Sequence, residues 1–182
     1  MNGSRRIGDI ELLRGLAVFG ILIHHAQGNL LAWTTPAMDR FYAYFNIGHT
    51  IDLFFAISGF VIARDLIPKV QEVGKDRVSF FRLAIAFWIR RAYRLLPSAW
   101  VCLACIVLLS LLFNQSNAFG SVRANFAGAV AAVLQVANMH FAFNLQSGLG
   151  LGATFHFWSL SLEVQFYLAL PLMLFFSGRA FP

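Results

Sequence analysis

The apolar residues of this chain are gathered into five long blocks separated by short polar segments, and that pattern excludes a single soluble core. A helix needs about 20 mostly apolar residues to cross a bilayer. Candidate spans run from about Leu12 to Leu31, Ile51 to Ile67, Leu95 to Phe113, Phe126 to Phe143 and Phe157 to Phe176. Composition agrees: 59% of the 182 residues are hydrophobic and 12% are charged, against about 25% charged in a soluble domain. The expected fold is all-α, a polytopic transmembrane helical bundle of about five spans. Residues 1–182 are expected to form a single domain, incomplete at its C-terminal end.

The net charge of +6 does not point to nucleic acid, because eight of the fourteen Lys and Arg fall between Arg64 and Arg94, beside apolar runs. That placement matches the excess of basic residues in cytoplasmic loops. With Arg5 and Arg6 added, ten basic residues lie on one side of the proposed spans. Only Arg40, Arg123 and Arg179 lie on the other. The N-terminus is therefore expected in the cytoplasm, and the protein in the cell's cytoplasmic membrane as a multi-pass chain. Within the basic loop, Ser79 to Arg94 reads SFFRLAIAFWIRRAYR. Its apolar stretch is too short to span, so a cytoplasmic interfacial helix is expected, with its arginines at headgroup level. Pro97 then falls near the start of the third span.

Cys102 and Cys105 have the CxxC spacing of redox and zinc sites, but they lie inside an apolar run with no further ligands near. They read as packing residues facing lipid or core. Neither a metal cluster nor a nucleotide-binding glycine loop is evident in the sequence. Glu11 and Arg14 interrupt the first apolar stretch, which argues against a cleavable signal peptide.

Four segments carry the polar residues that such spans do not tolerate without cause. In the first, Arg14 and His25 are eleven residues apart, which places them within about 20° of one helix face and about 16 Å apart along the axis. Titratable groups at membrane depth are costly and usually functional. The alternative is that Arg14 extends to the headgroups and His25 bonds a neighbouring helix. In the second, Glu163 lies in the last span with Gln165 close behind, and His156, Ser159 and Glu163 share a face. That carboxylate is either part of a polar cavity or an ion-pair partner of another span. The third is IDLFFAISGFVIARDL, with Asp52 near its outer end and Ser58-Gly59 in its middle. The fourth is RRAYRLLP, in which Arg91 and Arg94 form a basic stripe or a simple positive-inside anchor.

Taken together, ELLRGLAVFGILIHH (Glu11–His25), DLFFAISGF (Asp52–Phe60), RRAYRLLP (Arg90–Pro97) and FWSLSLEVQFYLALP (Phe157–Pro171) resemble the acyltransferase-3 family of membrane-bound acyltransferases. The resemblance covers nearly the whole chain, from Ile10 to about Leu174. It implies transfer of an acyl group, often acetyl, from cytoplasmic acyl-CoA to a hydroxyl of a carbohydrate, a lipid-linked glycan or another small acceptor. By that likeness His25 acts as general base or acyl-handling residue, and Arg14 orients it or binds an anionic group. Arg91 and Arg94 hold the donor's phosphates, and Glu163 completes the polar cavity. No cofactor is expected to be permanently bound. Acyl-CoA, the acceptor and the bilayer are the expected partners, with a second half or another copy of the chain completing the unit. Family members commonly have about twice as many spans, so a fragment or an assembly of chains is expected. Two other readings stay open: a non-catalytic transport or partner subunit, and an inactive truncated product.

Overall fold

The computed structural model describes residues 8–26, 35–44, 47–74 and 76–180. These fold into helices α1 (Gly8–Ala26), α2 (Pro36–Tyr44), α3 (Thr50–Val73), α4 (Arg77–Leu112), α5 (Val122–Val133), α6 (Ala137–Gln146) and α7 (Phe157–Ala180). Short 3-10 turns, Ile47–His49 and Ala153–His156, lead into α3 and α7, and no strand occurs among the described residues. The chain divides into two compact units, Met1–Leu66 and Ile67–Pro182.

Among the described residues, two helical stretches are long and apolar enough to cross a membrane: Arg77–Leu112, with a mean hydropathy of 2.4, and Ala153–Ser177, with 1.5. Only 17% and 28% of their most apolar stretches are buried within the chain. On α4, Trp100, Val101, Leu108, Leu111 and Leu112 all face outward. The core helix of a soluble protein would be covered on these faces, whereas a hydrocarbon environment solvates them.

The other expected spans come out differently. The first was expected to reach Leu31, but α1 ends at Ala26 and residues 27–34 lie outside the described residues. Helix α3 covers the second span and continues through Pro68 to Val73. The expected interfacial helix and third span are one continuous helix of 36 residues, about 54 Å long. Asp76 caps it, accepting hydrogen bonds from the main-chain N–H groups of Val78 and Ser79 at 3.2 and 3.1 Å. Pro97 therefore sits in a helix interior and not at its start. Burial of Phe80, Ala84 and Phe87 before it and of Ala99 and Leu103 after it ties both halves of the helix into the packing of this unit.

The fourth expected span, Phe126 to Phe143, is broken. Helix α5 stops at Val133 and α6 starts at Ala137. Gln135 adopts a left-handed conformation, with φ 59°. Its N–H bonds the Ala132 carbonyl at 3.1 Å, and the N–H of Val136 bonds that of Ala131 at 2.8 Å. This is a Schellman ending built on a glutamine where glycine is usual. Neither short helix is long enough to cross a bilayer by itself.

Helix α7 packs on both α4 and the α5–α6 pair. Along the α4 seam, Phe80 stacks on Phe175 with ring centroids 4.0 Å apart, and Phe87 meets Tyr167 edge-on at 6.3 Å. On the other side, Leu103, Ala131, Ala132 and Ala137 form a small apolar core with Phe157 against it. The fully buried Asn125 fixes the entry to α7: it donates to the Phe119 carbonyl at 2.8 Å and accepts from the N–H of Ala153 at 2.7 Å.

Candidate functional site

In the first unit, the inward face of α1 runs through Arg14, Ala17, Ile21 and His25. Ala17 is buried, and the other three are partly buried while Leu12, Leu13, Leu16, Leu22 and His24 are exposed. The shared face expected for Arg14 and His25 is thus the one the helix turns inward. The Arg14 guanidinium lies over the ring of Phe54, 5.8 Å from its centroid, a cation–π contact. The segment Glu11–His25 therefore meets the segment Asp52–Phe60 through Arg14 and Phe54. Gly20 makes the approach possible, since a Cβ there would come within 2.6 Å of Cγ2 of Thr50. The His25 ring touches that of His24 edge-on, at 5.4 Å. Asp52 lies at the start of α3, exposed and paired with Nδ1 of His49 at 3.0 Å.

In the second unit, the segment Arg90–Pro97 meets the segment Phe157–Pro171 in the same manner. Residues Phe80, Ala84, Phe87 and Arg91 recur at helical spacing along α4 and face α7. The Arg91 guanidinium lies 5.6 Å from the Phe87 ring centroid and 5.3 Å from that of Tyr167. Those two rings meet edge-on, so Arg91 sits at the junction of a pair of perpendicular aromatic rings. Tyr167 is buried and donates its phenolic hydrogen to Oε1 of Glu163, one turn earlier on α7. Arg91, Tyr167 and Glu163 thus form one cluster. Arg90 and Arg94 point outward, and among the described residues Arg94 makes no hydrogen bond or ion pair.

Next to this cluster lies a cavity of about 270 Å³ lined by Trp88, Arg91, Leu95, Leu96, Val164 and Leu168 among others. Its wall is apolar except where Arg91 and Tyr167 enter it. Trp88 is anchored through its indole N–H, which donates to the main-chain carbonyl of Tyr167 at 3.1 Å. Pro171 explains that bond: it has no N–H to offer the carbonyl four residues before it.

Helix α7 presents a second polar face, about 160° from the first. Ser161 accepts a hydrogen bond from the N–H of Ala137, the first residue of α6, at 3.3 Å. Gln165 donates to the carbonyl of Gln135 at 2.7 Å and exchanges a reciprocal amide pair with Asn138, both bonds 3.0 Å. These two side chains meet one N–H and one carbonyl of the main chain at the α5–α6 break. His156 ends the 3-10 turn before α7 and Ser159 lies in the first turn of α7, where its hydroxyl donates to the His156 carbonyl at 3.2 Å.

Sequence reasoning singled out Arg14, His25, Arg91, Arg94 and Glu163. The structure joins Arg91 to Glu163 through Tyr167, sets Arg14 and His25 on one face of α1, and leaves Arg94 outward. Trp88, Ser161 and Asn138 were missed. The i, i+4 recurrence of Glu163, Tyr167 and Pro171 was the available signal for the first of these. Cys102 and Cys105 are free thiols exposed on the outer surface of α4, of the two positions considered for them the outward one.

Comparison with known proteins gives a consistent result. The family model described as an acyltransferase domain matches residues 7–182. A Staphylococcus aureus (strain COL) protein whose name marks it as a candidate O-acetyltransferase is 30% identical over 93% of this chain. The peptidoglycan O-acetyltransferase OatA of Listeria monocytogenes is 29% identical over 92% of this chain, and the O-acetyltransferase OatA of Staphylococcus aureus (strain NCTC 8325 / PS 47) 28% over 97%. The matched regions cover 25%, 24% and 26% of these relatives, so the chain spans about a quarter of their length. No solved structure matches the chain at a significant level.

Proposed function

Since the chain belongs to the acyltransferase-3 family, we propose that it is the membrane part of an O-acyltransferase that passes an acyl group, acetyl in the first instance, from acyl-CoA to a hydroxyl of a carbohydrate or lipid-linked glycan. The named activity of the Listeria relative, peptidoglycan O-acetylation, suggests the kind of polymer to test first as acceptor.

The observation that carries the donor assignment is Arg91, held over the rings of Phe87 and Tyr167 at the wall of an apolar cavity. A guanidinium is well suited to phosphate, and an apolar cavity beside it suits the uncharged acyl-bearing arm of a thioester donor. Arg94, one turn further along α4, adds a second positive charge for the donor's other phosphates. In the transfer, the acceptor oxygen attacks the thioester carbonyl, the carbon–sulfur bond breaks and CoA leaves as its thiol. His25 takes the acceptor's hydroxyl proton as general base, and Arg14 on the same face orients it or neutralises a nearby anion. Glu163 keeps the environment of Arg91 polar and bonds Tyr167. The chain sits as a multi-pass protein in the cytoplasmic membrane with its N-terminus inside, and the five-span arrangement is part of this proposal.

One observation favours a second reading. Secondary transporters are built around broken helices, and the α5–α6 break falls inside the apolar stretch Phe126–Phe143 that was expected to span. A transport subunit would move its substrate without an acyl donor. The test is transfer of labelled acetyl from acetyl-CoA by membranes carrying the protein, with His25→Ala beside the wild type. Loss of transfer in His25→Ala supports the enzyme. Transport that proceeds without acetyl-CoA and needs the same residues supports the subunit.

A further inference from the structure

We infer that Ser161 and Gln165 are positioning residues of the acyl-transfer site: by gripping the α5–α6 break on one face of α7 they hold Glu163 and Tyr167 in register with Arg91 on the other. The inference rests on the acyltransferase reading given above.

Four bonds cross from α7 to the break, and together they serve both of its ends. Ser161 takes the first free N–H of α6, and Gln165 takes the carbonyl at the end of α5. The amide pair with Asn138 uses both ends of the Gln165 side chain at once. A side chain bonded at both its oxygen and its nitrogen fixes position and rotation together, which a single apolar contact does not. Ser161 and Gln165 are one turn apart, so their grip defines a line along the helix and sets its rotation about the axis. Glu163 lies between them in sequence and about 160° away around the helix. Rotation of α7 by a small angle therefore carries the Glu163–Tyr167 pair sideways relative to Arg91, whose guanidinium is only 5.3 Å from the Tyr167 ring centroid. A misplacement of about 1 Å in a reacting constellation costs up to about a hundredfold in rate. The chain breaks at residues 134–136 although no Gly or Pro stands there, and it ties the break to α7.

The test is a double-mutant cycle on acyl transfer in membranes carrying the full chain, comparing wild type, Gln165→Leu, Glu163→Gln and the pair. If Gln165 acts through Glu163, Gln165→Leu lowers turnover about tenfold in the wild-type background and less than about twofold in the Glu163→Gln background. A loss of folded protein would multiply both backgrounds by the same factor, and that result overturns the inference. So does an unchanged turnover in Gln165→Leu. Should Gln165→Leu fail to accumulate, Ser161→Ala removes one bond only and is read through the same cycle. If Glu163→Gln has no effect while His25→Ala abolishes transfer, the inference fails and the acyltransferase reading stands. If the wild type transfers no acyl group, the reading itself falls and the inference with it.

Discussion

The indole N–H of Trp88 donates to the main-chain carbonyl of Tyr167 at 3.1 Å, and it does so at the carbonyl that Pro171 leaves without a helical partner. One bond thus repairs a proline defect in α7, anchors a wall of the cavity and fixes the backbone of the tyrosine that bonds Glu163. Its consequences are open to measurement.

Replacing Trp88 by Phe keeps most of the ring and removes the donor. The orphaned Tyr167 carbonyl then costs about 1–3 kcal/mol of stability. Pro171→Ala restores an N–H to the helix, so Trp88→Phe in that background costs markedly less. Thermal unfolding of the four variants in detergent measures this, and an equal cost in both backgrounds would show that Trp88 stabilises only through its ring.

Arg91 and Arg94 of RRAYRLLP are expected to separate under conservative substitution. Arg91 is held by two ring faces and Arg94 is not. Arg91→Lys loses the planar contact and raises the donor's KM about tenfold, equivalent to about 1.4 kcal/mol. Arg94→Lys retains its charge in an outward position and changes KM by less than about threefold. Titration of turnover against acetyl-CoA concentration reads both.

At Gly20 the first unit has no room for a side chain, because a Cβ would lie 2.6 Å from Cγ2 of Thr50. Gly20→Ala therefore destabilises by about 1–3 kcal/mol through overpacking. Thr50→Ala removes the clashing methyl, and the double variant recovers part of the loss. Yield and thermal stability of the folded protein are the readouts, and an unaffected Gly20→Ala would contradict the close approach.

Asp76 gives the start of α4 a pH dependence. The Ser79 side-chain hydrogen bond, with the main-chain N–H groups of Ser79 and Val78, holds its carboxyl below the ordinary value of 3.8. A depressed folded-state value means that the carboxylate stabilises the helix start fully above that ordinary value. The contribution fades as pH falls through the folded value. Asp76→Asn should accordingly be less stable than wild type at pH 7, with the difference vanishing in strong acid. A constant difference across that range would place the effect elsewhere.

Much of this arrangement was legible in the sequence, and the rest was not for identifiable reasons. The last span is read well because Phe157 to Phe176 is uniformly apolar apart from its motif, and α7 begins at Phe157. The continuity of α4 was hidden by Pro97 and by the arginines before it, both of which read locally as a boundary. Both halves of the helix are held by burial, of Phe80, Ala84 and Phe87 before Pro97 and of Ala99 and Leu103 after it, which is a tertiary fact. The break after Val133 was hidden because VLQVANMH contains no Gly or Pro. The carbonyl at the break is held by Gln165, thirty residues away. In the site, Glu163 stood out as a charge in an apolar run, whereas Tyr167 is as apolar as its neighbours until its hydroxyl is placed. The outward position of Arg94 was equally unreadable, since a spacing of three residues puts it only about 60° from Arg91.

The most direct test of the donor site is binding of acetyl-CoA to the detergent-purified protein, with Arg91→Ala/Arg94→Ala and His25→Ala beside the wild type. Saturable binding that the arginine pair abolishes and His25→Ala preserves is the predicted result. Binding that survives loss of both arginines, or a folded wild-type protein that takes up no acetyl-CoA, would contradict the assignment of the donor to the wall between α4 and α7.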